Sequence, residues 1–130
     1  MVPNKFKLAV LVSGRGSNLQ AIIDSIEENT LQAEIALVVS NVKDAYALER
    51  AHKHGLKGIF LDPKSYTDRN SYEQSLVEQI QLKSVDLICL AGYMRVLGKH
   101  FIEAFSDRII NIHPSLLPAF PGLNVQKRAL

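Results

Sequence analysis

Five short apolar runs, at residues 7–13, 34–40, 58–61, 85–91 and 108–112, alternate along this chain with segments of helical periodicity. That alternation leaves few architectures open. Most of the runs are apolar at consecutive positions rather than at every second one, so they read as strands buried on both faces. Such strands belong in a parallel sheet covered by helices on each side. That pattern reads as an α/β fold, a doubly wound, Rossmann-like parallel sheet; right-handed crossovers leave few alternatives, and strand order 3-2-1-4-5 is the one expected. At 130 residues and 47% hydrophobic, the chain fits one domain over residues 1–130 that can bury a core. No internal repeat, low-complexity tract or linker interrupts it.

The intervening segments carry helix signals. Ser17 and Gln20 have the spacing of a capping box, and Leu19, Ile22, Ile23 and Ile26 follow at helical intervals, which predicts a helix over 17–28. Asp44 is the expected N-cap of a second helix bearing Ala45, Leu48 and Ala51, with Gly55 as its stop. Asp68 is the expected cap of a third, with Tyr72, Leu76 and Ile80 on one face. A short fourth helix carries Phe101 and Phe105.

Charge narrows the function classes. The 15 basic and 13 acidic residues give a net charge of +2, too balanced to argue for nucleic acid or an anionic membrane as partner. Anion recognition must therefore be local. The single cysteine, Cys89, lies in an apolar run and reads as buried core rather than as a disulfide or reactive thiol. The first apolar stretch, Leu8 to Val12, is shorter than the roughly 7–15 residues of a signal-peptide core. With no spanning segment in the letters, the expected setting is the cytoplasm.

A doubly wound sheet of this order binds ligands outside the carboxyl ends of its strands where the winding reverses, between strands one and four. Three polar motifs fall at or beside that point. In the first, Ser13-Gly14-Arg15-Gly16-Ser17-Asn18, glycines clear the backbone for an anion and Ser17 and Asn18 open a helix whose free amides favour negative charge. The same residues also suit an ordinary strand-to-helix turn. A dinucleotide fingerprint fits less well, because Leu19 stands where the third glycine belongs and Ser40-Asn41 supplies no acidic ribose ligand. No Gly-Lys-Ser/Thr follows, which excludes a P-loop. The second motif is Ala91-Gly92-Tyr93-Met94-Arg95. In the third, Ile109 to Pro118, Asn111 and His113 lie two apart on an extended segment and share a face. An amide beside an imidazole can stabilise an oxyanion while the ring moves protons near neutral pH. Pro114 and Pro118 stiffen the exit, and a cis bond before one of them is compatible with the sequence. His52, His54 and His100 lack ligand spacing and read as surface residues; no metal site and no Ser-His-Asp triad is visible.

Taken together, Leu11-Val12-Ser13-Gly14-Arg15-Gly16-Ser17-Asn18-Leu19-Gln20, Gly92 to Leu97 and Asn111 to Pro118 resemble the phosphoribosylglycinamide formyltransferases, folate-dependent enzymes of purine synthesis. The resemblance extends over essentially the whole chain. The last motif is shared with other formyltransferases that use 10-formyltetrahydrofolate, and the Gly-Ser-Asn-Leu-Gln loop points to the glycinamide ribonucleotide branch. Carried over by position, the resemblance implies that Gly16, Ser17 and Asn18 hold the phosphate of glycinamide ribonucleotide. Arg69, Met94, Arg95, Val96 and Leu97 would contact the folate, Asn111 would contact the formyl donor and polarise its carbonyl, and His113 would be the proton donor. The implied co-substrate is 10-formyltetrahydrofolate, with neither metal nor redox cofactor, and a homo-oligomer is compatible.

The resemblance also implies that an aspartate supporting the histidine lies beyond Leu130. Gln126 to Leu130 read as the first turns of a helix without a stop, so a chain truncated at its carboxyl end, with later strands missing, is expected. Asn124 and Gln126 stand where some relatives carry histidines. The alternatives are a formyltetrahydrofolate hydrolase or other formyltransferase, which would keep Asn111 and His113 without needing the phosphate loop, and a catalytically silent module that binds a phosphorylated ligand. An NAD-type Rossmann domain is a third.

Overall fold

The computed structural model describes residues 6–112. Their order is β1 (Phe6–Val12), α1 (Ser17–Glu27), β2 (Ala33–Ser40), α2 (Tyr46–Lys53), β3 (Gly58–Phe60), a 3-10 turn (Pro63–Ser65), α3 (Arg69–Gln81), β4 (Leu87–Leu90), α4 (Lys99–Ala104) and β5 (Ile109–Asn111). All strand pairs are parallel and the sheet order is β3-β2-β1-β4-β5, as the double-sided apolar runs require. β1 is central, with a register shift against β2 between Leu8 and Ala9.

The alternation of side chains along β1 builds a separate core on each face. Leu8, Val10 and Val12 pack with Leu19, Ile22 and Ile23 of α1 and with Ala47, Leu48 and Ala51 of α2. Ala9 and Leu11 pack on the other face with Tyr72, Leu76, Val77 and Ile80 of α3 and with Phe101 and Phe105. The two phenylalanine rings stand 5.0 Å apart. Cys89 is fully buried in the first of these cores, as its apolar run predicted.

Strand ends match the sequence reading to within two residues, the usual spread at element termini. Two caps differ for a physical reason. The capping box of Ser17 and Gln20 does not form: Gly16 is the N-cap, in the left-handed region at φ 81°, with no side-chain cap. Ser17 is therefore already helical, and the Gln20 side chain donates to Asp24 and accepts from Arg50. Asp44 does not cap α2 either; Ala45 occupies that position without a side-chain bond. The Ala47 amide instead donates to the Gly14 carbonyl at 3.1 Å, so the β1–α1 loop supplies the acceptor that Asp44 was expected to give. Asp68 does cap α3, accepting from the Ser71 amide at 2.7 Å, and these bonds hold its carboxyl below the usual range. The 3-10 turn was not anticipated, although Asp62-Pro63 signals it: the Asp62 side chain accepts from the Lys64 amide.

Candidate active site

The carboxyl ends of β1, β4 and β5 are adjacent because β1 pairs with β4 and β4 with β5. Backbone bonds carry that register past the strands, Ala91 N to Leu11 O at 2.9 Å and Ile112 N to Leu90 O at 3.0 Å. The glycine loop, the segment after Ala91 and the segment at Asn111 therefore open on one edge of the sheet, as the topology predicts.

Within the glycine loop the two glycines have different work. A Cβ on Gly14 would meet nothing within 4 Å, whereas one on Gly16 would stand 2.7 Å from the Ala47 Cβ and 2.8 Å from its Cα. Gly14 thus leaves open space in front of the backbone, while Gly16 lets α2 approach closely and turns the chain into α1. The sequence reading gave both glycines to an anion; for Gly16 helix packing is a sufficient cause. Ser17 is exposed at the first turn of α1 and Asn18 is half-buried. The Asn18 amide Nδ2 donates to the Ile112 carbonyl at 3.2 Å, which ties the start of α1 to the end of β5 beside the exposed Asn111.

The segment after β4 turns at Gly92, φ 77°, and is fastened to the body of the fold. The Met94 amide donates to Ser13 Oγ at 2.7 Å, and the Ser13 hydroxyl donates to Asn41 Oδ1 at 2.5 Å. Tyr93 and Tyr72 join their hydroxyls at 2.8 Å, and Arg95 stacks its guanidinium 5.0 Å above the Tyr72 ring. Burial pushes both tyrosine hydroxyls up. The Gly98 amide donates to Glu73 Oε2 at 2.7 Å. Between these anchors Met94 and Val96 are 81% and 74% exposed, an apolar pair facing outward on a fixed loop.

Arg69 is exposed at the first position of α3 and makes no hydrogen bond or ion pair among the described residues. His113, with Pro114 and Pro118, lies outside the described residues. Sequence reasoning placed Ser13 at the head of the glycine loop but gave it no role, and it missed Asn41 and Glu73 as parts of this edge. A polar residue closing an apolar strand was a usable signal for Ser13, but the Ser13–Met94 bond spans 81 positions and has no local trace.

A groove of about 600 Å³ opens at the opposite, amino ends of the strands, beside Lys7, Glu34, His54, Lys57 and Lys83. His54 is paired there with Glu27 at 2.9 Å. It shares no residue with the loops above, and fold topology favours the carboxyl edge as the reactive one. Among the described residues no cluster of three or more His, Cys, Asp or Glu could hold a metal ion, and no helix is long and apolar enough to cross a membrane.

The family described as formyl transferase matches residues 6–130. The phosphoribosylglycinamide formyltransferase of Bacillus subtilis is 44% identical over 123 residues, 95% of this chain and 63% of that protein. The trifunctional purine biosynthetic protein adenosine-3 of Drosophila pseudoobscura pseudoobscura is 48% identical over 126 residues, 95% of this chain but 9% of that protein. The crystal structure of glycinamide ribonucleotide transformylase 1 from Symbiobacterium toebii superposes with a TM-score of 0.81 at 47% identity, covering 96% of this chain and 59% of that one. This chain thus spans about three fifths of the single-function relatives' length.

Proposed function

The chain belongs to the formyl transferase family, and from that premise we propose that it transfers the formyl group of 10-formyltetrahydrofolate to the amino group of glycinamide ribonucleotide in cytoplasmic purine synthesis. The observation that carries the reading is the bond from Asn18 to the Ile112 carbonyl, which joins the glycine loop to the segment bearing Asn111. An anion seated at Ser17 and Asn18, on the free amides of α1, would bring the rest of its molecule toward Asn111. The open face of Gly14 leaves room for that approach.

On the other side, the exposed side chains of Met94 and Val96 form an apolar wall suited to a flat pterin ring, with Arg95, Leu97 and Arg69 as further folate contacts. Holding both reactants across one edge supplies much of the rate, because a bimolecular encounter becomes a positioned one. The amine nitrogen attacks the formyl carbon, and the carbonyl oxygen takes on negative charge. The Asn111 amide donates a hydrogen bond to that oxyanion, where such a donor counts most. The carbon–N10 bond then breaks while a proton passes from the attacking amine to N10. His113 is the group assigned to carry that proton, an assignment resting on the family resemblance and on the pH range of imidazole.

The test is to supply the donor with an isotopically labelled formyl carbon and to follow the label. Label in the glycinamide product, dependent on added glycinamide ribonucleotide, is the expected result. Label released only as formate would replace the transferase reading with a hydrolase. Binding of the ribonucleotide without any movement of label would leave a silent binding module.

A further inference from the structure

We infer that Ser13 and Glu73 are positioning residues that hold the loop of residues 94–98 ready for its ligand, each by accepting one backbone N–H. The inference rests on the reading of that loop as the folate wall. Residues 92–98 form no helix or strand, yet they present Met94 and Val96 to solvent. Apolar side chains on an irregular loop make a usable platform only when the backbone beneath them is fixed. Here it is fixed at both ends from different elements.

At the first end, the Ser13 hydroxyl commits its proton to Asn41 Oδ1 and accepts from the Met94 amide. The direction of the chain is set, since a backbone amide can only donate. Ser13 is 6% exposed, so water has little access to replace it. At the other end, Glu73 is 2% exposed, on the face of α3 that also buries Tyr72, Leu76 and Val77. Burying a carboxyl group is costly unless it is paired. Among the described residues Glu73 makes no ion pair. Its hydrogen bond there is the one from the Gly98 amide to Oε2, and Oε1 has no partner. A leucine would suit that face better for packing alone; what the carboxyl adds is an acceptor for Gly98. The fit is mutual, because a Cβ at position 98 would stand 2.9 Å from Oε1. A loop ordered in advance spares its ligand the entropy of ordering it.

The test is calorimetric titration of the 130-residue chain with a folate that carries carbon in place of N10 and cannot transfer, and separately with glycinamide ribonucleotide. Ser13→Ala, Glu73→Leu and Glu73→Gln are compared, and amide hydrogen exchange is read at positions 94 and 98. Ser13→Ala should weaken the folate by about tenfold, speed exchange at Met94, and leave ribonucleotide affinity within about twofold. Glu73→Leu should do the same with faster exchange at Gly98, while Glu73→Gln, which keeps an oxygen acceptor, should restore folate affinity to within about threefold. Unchanged folate affinity in both losing variants, or equal losses for both ligands, overturns the positioning role. Absence of folate binding by the unsubstituted chain overturns the folate wall itself and this inference with it. Ser13→Ala removes one oxygen and little volume, so it decides the question even if Glu73→Leu does not fold.

Discussion

Cys89 lies on β4 between β1 and β5, opposite Val10 and Ile110, and its chemistry is fixed by that buried position. Burial pushes its thiol up to about 12, because a thiolate there would lose its hydration without gaining a partner. The folded form thus favours the neutral thiol, so its contribution to stability is complete below about pH 9, the unfolded thiol's range, and is lost as pH rises toward 12. An alkylating reagent at pH 8 should label Cys89 only after denaturant is added; labelling at comparable rates in the native state would mean that β4 opens far more readily than its burial implies. The sequence disclosed this residue fully, since a lone cysteine inside Leu87-Ile88-Cys89-Leu90 has few other readings. Less of Asn18 was legible. Its place in the first turn of a helix could be read, but its bond to the Ile112 carbonyl crosses 94 positions, and no local pattern encodes such a contact.

At the scale of elements, the strands and the buried faces of the helices were legible because hydrophobic period and burial share one cause. Tyr72, Leu76 and Ile80, spaced by four, are each 1% exposed or less. Helix entries were less legible, because several acceptors can satisfy the same free amides. Asp68 caps α3 as its sequence suggests, while α2 takes the Gly14 carbonyl and α1 starts from a left-handed glycine. That last entry yields a prediction. Gly16→Ala places a methyl against Ala47 in a backbone region costly for any residue with a Cβ, so it should destabilise the fold by about 2–5 kcal/mol. Denaturant unfolding checks it, with Gly14→Ala as the comparison expected to cost little. Equal midpoints for the two variants would remove the close approach of α1 and α2 as the reason for a glycine at position 16.

Over the whole molecule, one sheet order explains why polar residues far apart in sequence meet at a single edge. The order β3-β2-β1-β4-β5 sets the exits of β1, β4 and β5 side by side, while Arg69, a folate contact expected from the family resemblance, makes no hydrogen bond or ion pair to that edge among the described residues. The family match over residues 6–130 and the superposition on a transformylase agree with that arrangement. The central claim is that Asn111 acts on the oxyanion and not on ground-state binding. The direct measurement is single-turnover formyl transfer with both reactants saturating, unsubstituted chain against Asn111→Ala. The account predicts a rate lower by about 10²–10³ with both dissociation constants nearly unchanged; equal rates, or a loss confined to binding, would contradict it.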